Sequence, residues 1–290
     1  MLAWACFAAV VVGWGSTFLG IRLAFESFTP FGLVGLRNLA AGAVMLAFAI
    51  LRRATPPRRE DLPRLATLGL LMVGASNLFT TLAQQHLSTG VGGLLNACIS
   101  LWIVLLSAGE ERHPRGVWVG MALGLLGVAL LLLPGKAQRV SWVGFACMMI
   151  STFSFAWAAL RFRKRPVAAG LSWVLAVQMG ASGILLTGLA ALRGGCFSGA
   201  MTPKALAAFA YLVAVPSLVA YGAFAILSRL WSPGRFGIYA VLTPVVAVLL
   251  GLAFLRETLT TRMGLAMAVI LLGVALVQIR PSAPGMAEEA

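Results

Sequence analysis

Long apolar stretches broken by short polar ones dominate this chain. Apolar windows fall at residues 2–23, 31–51, 64–84, 87–107, 116–133, 141–161, 170–192, 205–229, 235–255 and 262–279, separated by charge, proline or glycine. A helix rising about 1.5 Å per residue needs about 20 residues to cross a hydrocarbon core about 30 Å thick, so each window reads as a membrane-spanning helix. The third and fourth windows meet across Gln84, Gln85, His86 and Leu87, a very short hairpin. The first window starts at Leu2 with no basic region before it, which predicts a retained helix and neither a cleaved leader nor a lipid-modified Cys6. The expected fold is therefore an all-α integral membrane protein of ten transmembrane helices.

Composition strengthens this reading. Of 290 residues 60% are hydrophobic and 10% charged, which excludes an ordinary soluble domain. The net charge of +14 would suggest nucleic acid in a soluble protein. Here the cations sit between apolar runs, so they report topology and contact with lipid headgroups; no nucleic-acid partner is expected. One set of alternate connections holds Arg52, Arg53, Arg58, Arg59, Arg64, Arg112, Arg115, Arg161, Arg163, Lys164, Arg165, Arg229, Arg235 and Arg280, fourteen in all. The other holds seven: Arg22, Lys136, Arg139, Arg193, Lys204, Arg256 and Arg262. The bias predicts cytoplasmic N and C termini. The four cysteines, Cys6, Cys98, Cys147 and Cys196, have no short metal-ligand spacing, so neither a metal site nor a cofactor is expected.

The chain also repeats itself. Residues 125–130 and 271–276 both read LLGVAL, and the same offset of 146 places Glu111 on Glu257. Two halves of five helices each, residues 1–135 and 136–280, enter the membrane from opposite sides because five is odd, and a tail follows at 281–290. This predicts an inverted-topology repeat around a central cavity.

Several short patterns carry a family resemblance: Trp14-Gly15-Ser16-Thr17-Phe18, Leu36-Arg37-Asn38, Gly90 through Asn96, Thr243-Pro244-Val245-Val246-Ala247, Arg256-Glu257-Thr258-Leu259-Thr260, Gly264 and Leu272-Gly273-Val274. In this order and spacing the chain resembles the EamA family of the drug/metabolite transporter superfamily. The resemblance implies ten helices, both termini inside, a central cavity, and alternating-access movement of a small metabolite or drug, usually outward, across a bacterial inner membrane. Cargo such as amino acids or related amphipathic compounds is the corresponding expectation.

Polar residues inside the windows are the candidate site. Asn77, Thr80, Thr81 and Gln84 follow i, i+3, i+4, i+7 and share one helix face, which lipid would not tolerate. They either line a cavity or join helices by hydrogen bonds. Asn96 with Ser100, Gln178 with Ser182, and Ser217 with Tyr221 repeat the pattern in other helices. The deep aromatics Phe79, Trp102, Trp157, Tyr221 and Tyr239 serve either a cargo or the core. Arg37, the one cation well inside a window, holds either a cargo carboxylate or a structural position bonded to backbone carbonyls or Glu26. Pro216 and Pro244 interrupt helices, and Gly13, Gly15, Gly90, Gly92 and Gly93 permit close approach or bending, so Gly13, Gly15, Gly92, Pro216 and Pro244 are candidate hinges. Gly120 with Gly124, and Gly264 with Ala268, suit tight packing within a monomer or a homodimer contact.

The absences discriminate between functions. No acidic residue lies at a helix centre, so the central glutamate of small multidrug resistance proteins is lacking, and facilitated transport is expected over proton coupling. With His86 and His113 as the only histidines and no set of nucleophile and base, an enzyme is not expected; Glu110, Glu111 and His113 read as a solvated turn. A scaffold or receptor without transport remains the other class, although it would not need a repeated half or buried polar faces.

Overall fold

The computed structural model describes residues 1–109, 113–133, 140–165, 167–231 and 239–278. Glu110, Glu111, Arg112, Lys136, Arg139, Arg235, Arg280 and the 281–290 tail lie outside the described residues. Among the described residues nine helical segments are long and apolar enough to cross a membrane: α1 (Leu2–Ala24), α2 (Pro30–Leu51), α3 (Arg59–Gln84), α4 (Thr89–Ser107), α5 (Arg115–Leu132), α6 (Trp142–Lys164), α7 (Leu171–Leu192), α8 (Pro203–Phe224, continuing to Leu230) and α10 (Thr261–Gln278). Between the last two lies α9 (Tyr239–Leu255), a shorter apolar helix of 17 residues. All the apolar windows of the sequence thus contain helix. The largest shift is at the start of α3, where a 3₁₀ turn at Arg59–Asp61 carries the helix past Pro63 toward the N-terminus.

The starts of α2, α4, α6 and α8 are fixed by side-chain caps: Thr29, Ser88, Ser141 and Thr202 each accept a backbone N–H from the first helical turn. These donors have no intrahelical partner, and a hydroxyl acceptor supplies one. Pro30 and Pro203 follow two of the caps, where a missing N–H costs nothing.

Contacts between connections define two ends of the bundle. At the arginine-rich end Gly170 N donates to Thr55 O at 2.8 Å, Trp173 Nε1 to Ala54 O at 3.0 Å, and Arg64 to the carbonyls of Arg161 and Arg165 at 3.1 and 2.6 Å. At the opposite end the α1–α2 and α7–α8 connections interlock. Thr29 N donates to Cys196 O at 3.0 Å and Ser27 Oγ to Ala200 O at 2.8 Å. Lys204 lies 2.5 Å from Glu26 and holds its carboxyl below the usual carboxylate range. Arg22 donates to Gln84 O at 2.6 Å and Arg262 to Leu133 O.

The most extensive helix pairs are α2 with α7 and α5 with α10. Both are seams of small residues. A Cβ on Gly42 would stand 2.9 Å from Gly180 N, and one on Gly273 would stand 2.4 Å from Gly124 N, so backbones touch where larger residues would hold the helices apart. The Gly120/Gly124 pair therefore packs inside the chain against α10. In α10 Gly273 meets it, whereas Gly264 of the proposed small-residue counterpart faces open space. α3 and α8 both contain a π-helical stretch, Leu70–Ala75 and Val213–Ala220, the latter around Pro216.

Glu257 links the two halves at the end opposite the arginines. Left-handed backbone at Arg256 (φ 52°) turns the chain after α9, and the Glu257 carboxylate then accepts Thr89 N at 2.6 Å and Gly90 N at 3.1 Å. The charge stands at the positive end of α4 and satisfies two first-turn donors. Loss of this pair of charge-assisted bonds should cost about 1–3 kcal/mol. Glu257→Ala is therefore expected to lower the thermal unfolding midpoint of purified protein in detergent, and Glu257→Gln, which retains one acceptor, should lower it less. Equal midpoints for the three proteins would remove the cap from the account.

Candidate functional site: a polar and aromatic cavity at the centre of the bundle

A cavity lies where helix regularity fails. α1 breaks at Ser16, whose hydroxyl donates to Val12 O at 2.6 Å, and α4 breaks at Ala97. The π-helical stretches of α3 and α8 lie at the same level. Each irregularity alters the direction of the side chains after it, and π-bulges commonly mark functional positions. The lining residues follow: Trp14, Thr17 and Phe18 flank the α1 break; Asn96, Ala97, Ile99, Ser100 and Ile103 surround the α4 break; Ser76, Asn77 and Thr80 follow the first π-helix, and Tyr221 the second. Arg37 of α2, Phe155 of α6, Tyr239, Ala240 and Thr243 of α9, and Gln278 of α10 complete the wall.

One side is aromatic. Trp14 packs edge to face against Tyr221 and Tyr239, each at 5.4 Å between ring centres, and against Phe224 at 5.0 Å. The polar groups differ in how far the protein satisfies them. Thr80 Oγ1 pairs with Ser151 Oγ at 2.7 Å, and Ser100 Oγ accepts Gln278 Nε2 at 3.1 Å. Arg37 is only 3% exposed, and its Nε donates to Ser217 Oγ at 2.7 Å. The amides of Asn77 and Asn96 reach the cavity without a hydrogen bond to the described residues. Amides and hydroxyls in such a site offer directional recognition while the rings supply apolar contact.

Arg37, Asn77, Thr80, Asn96, Ser100 and Tyr221 are thus brought together as the sequence suggested. The other six candidates are not among the lining residues. Thr81 donates to Asn77 O within its own helix at 2.7 Å. Gln84 is fully buried beside Gly92, and neither amide atom has a partner. Trp102 donates to Thr152 Oγ1 at 3.1 Å and joins α4 to α6. Trp157 lies under the Arg161 guanidinium at 5.0 Å. Gln178 is buried where α7 crosses α3 at Gly69, leaving its Nε2 unpaired. Ser217 acts behind Arg37. A shared face in the sequence does not reveal which neighbour fills it, and in these positions another helix does. Arg37 itself is bonded neither to Glu26, which belongs to Lys204, nor to a backbone carbonyl.

Sequence reasoning missed Trp14, Thr17, Thr243 and Gln278 as lining residues. The first three stand in the stretches that carry the family resemblance, a usable signal; Gln278, at the last turn of α10, had none. Glycines in the candidate hinges serve as points of contact: a Cβ on Gly15 would meet Val246 Cβ at 2.6 Å, and one on Gly93 would meet Ala247 Cβ at 2.4 Å. Both bring the first half against α9. Pro244 lies inside α9 beside the cavity residue Thr243.

The cavity is asymmetric along the bundle. Tyr239 begins α9 and Gln278 ends α10, so its wall extends to the arginine-rich end. Toward the other end Gly90, Gly92 and Gly93 pack against Met263, Gln84 and Ala247, and the Glu257 cap and interlocked connections lie beyond.

A helical bundle of membrane-spanning length with a central polar and aromatic cavity defines a membrane transport protein in outline, and comparison with known proteins gives the family. The model of the EamA-like transporter family matches residues 1–133 and again 142–279, so the chain belongs to that family, which is one of transporters and not of enzymes. It is 32% identical to an uncharacterized inner membrane transporter of Escherichia coli K12, YedA, covering 95% of this chain and 90% of that one. A probable amino-acid metabolite efflux pump of the same organism is 25% identical over 91% of each chain, and Protein PecM of Dickeya dadantii is 27% identical over 85% and 82%. A solved crystal structure aligns with a TM-score of 0.69 at 20% identity, covering 96% of this chain and 98% of its own, which establishes a shared fold.

Replacing Asn77 or Asn96 by Leu should leave folded yield nearly unchanged, since no described residue bonds to either amide, yet weaken cargo recognition. Gln84→Met and Gln178→Met remove unpaired buried amides; each should retain transport and leave the unfolding midpoint equal or higher, by up to about 1–3 kcal/mol in stability. Transport assays paired with thermal unfolding in detergent separate the two groups, and the opposite assignment would relocate the site.

Proposed function

We propose that this protein is a secondary transporter of the bacterial inner membrane that moves small amphipathic metabolites, amino acids or related compounds, outward by alternating access. The observation that carries this reading is the central cavity, walled by rings and unpaired amides, reaching one end of the bundle and closed at the other. The name of the E. coli efflux pump supports the substrate class, and that of YedA the membrane.

In this reading all ten segments cross the membrane as two inverted repeats, residues 1–135 and 136–280. Support comes from the family model matching once in each half and from the pairing of presumed counterparts, α2 on α7 and α5 on α10. The π-helical stretches of α3 and α8 are a further correspondence between the halves. The arginine-rich end is the cytoplasmic one by the excess of basic residues, so both termini are inside and the cavity faces inward. The functional unit is the monomer, because the GxxxG seam is spent within the chain.

Transport is facilitated. A proton-coupled carrier needs a group in the path that gains and loses a proton, and no Asp, Glu or His is among the residues lining this cavity. Guanidinium, amide and hydroxyl groups do not titrate near neutral pH. Reconstituted protein should therefore perform counterflow of labelled amino acid at equal pH on both sides, and a proton gradient alone should not concentrate it. Accumulation abolished by a protonophore would overturn the coupling; no counterflow with any small amphipathic compound would overturn transport itself.

Orientation has its own test. In a variant lacking Cys6, Cys98, Cys147 and Cys196, single cysteines at Arg58→Cys and Arg163→Cys should be protected in whole cells from an impermeant thiol reagent, and Thr202→Cys should react. The reverse labelling would invert the topology.

A further inference from the structure

Resting on the transport reading above, we propose that Arg37 is the anchor for a carboxylate, so that the cargo class is small organic acids with an apolar or aromatic body.

The guanidinium is buried in the cavity wall and incompletely used. Its Nε donates to Ser217 Oγ at 2.7 Å, and that hydroxyl donates in turn to Leu212 O at 3.0 Å, the carbonyl five residues back in the π-helical stretch of α8. A hydroxyl from the second half of the chain thereby fixes the direction of an arginine from the first. The two terminal nitrogens of Arg37 donate to no group among the described residues and are not sealed from the cavity. A carboxylate is the ligand that two parallel N–H donors fit best.

Among the described residues no anion pairs with it. Of the acids in the described residues, Glu26 belongs to Lys204, Glu60 to Arg58 and Glu257 to the first turn of α4, while Asp61 lies at the start of α3. A lone cation at membrane depth is costly, and that cost is relieved when a counter-ion enters with the cargo. One cation with no neighbouring cation in the wall matches a monoanion; a doubly charged phosphate would leave one charge without a partner. In the same cavity wall the aromatic group of Trp14, Tyr221 and Tyr239 accepts an apolar body, and Asn77 and Asn96 supply further donors and acceptors. Ser217 is a positioning residue in this arrangement and Arg37 the contact.

The test compares acids with their isosteric amides. Phenylacetate, indole-3-acetate and L-phenylalanine, each beside its carboxamide, are titrated calorimetrically into the purified full-length chain in detergent. At least one acid should bind about tenfold or more tightly than its amide, the worth of a charge-assisted hydrogen bond. Arg37→Gln, accepted only if it remains monodisperse, should bring the pair within about twofold, and Arg37→Lys should keep part of the preference. Equal binding of acid and amide by the unaltered chain overturns the proposal without reliance on any variant. A preference that survives Arg37→Gln, or no binding by any acid, overturns it as well. Counterflow by the unaltered chain separates this proposal from the reading it rests on: if only the carboxylate anchor is wrong, neutral compounds still exchange, whereas if transport is wrong, acids bind but nothing exchanges.

Discussion

Inside a hydrocarbon layer each backbone N–H and C=O must find its partner within the protein, and this constraint organises the molecule. Regular helix satisfies it at once, so departures occur where protein or cavity compensates. Here the breaks at Ser16 and Ala97 and the π-helical stretches at Leu70–Ala75 and Val213–Ala220 flank the same space. Side chains take over part of the work: Ser16 donates to Val12 O, and Ser217 donates to Leu212 O while accepting from Arg37. The irregular backbone and the cavity are therefore one feature. The turns that would be costly against lipid supply the angles by which Asn77, Asn96 and Tyr221 point inward.

The two ends of the bundle are held together by different means. At the end away from the arginines, paired bonds between connections join the halves: Thr29 to Cys196, Ser27 to Ala200, and Glu257 to Thr89 and Gly90. Glycines let the helices approach there until their backbones touch. At the arginine-rich end the cavity wall reaches the first residue of α9 and the last described residue of α10. Under the proposed alternating access, these modest interactions at one end would be exchanged for an equivalent set at the other.

Charge inside the bundle is spent sparingly. Among the described residues Arg37 is the buried cation, and its one hydrogen bond to them is to a hydroxyl of the other half. The remaining polar wall is neutral: the amides of Asn77 and Asn96 make no bond to the described residues, while the hydroxyls of Ser76, Thr80 and Ser100 are engaged with other side chains. Under the proposed transport function, such a wall would distinguish cargo through geometry and one fixed charge.

The sequence by itself determined the all-helical class, the position of nearly every helix, and the family, because a 20-residue apolar window has few alternatives in lipid and because Trp14 to Phe18 and Thr243 to Ala247 keep their order and spacing. Of the polar residues that it set inside the windows, Arg37, Asn77, Thr80, Asn96, Ser100 and Tyr221 line the cavity. Only the tertiary structure decided that Thr81, Gln84, Trp102, Trp157, Gln178 and Ser217 do not line it, and that Trp14, Tyr239 and Gln278 do. Periodicity identifies the face of a helix that avoids lipid, but whether that face meets a cavity or another helix depends on partners distant in the chain. Gln178 meets Gly69 and Trp102 meets Thr152 for that reason. The π-helical stretches had no sequence signal beyond Pro216, and they arise where packing between the halves outweighs the regular helix.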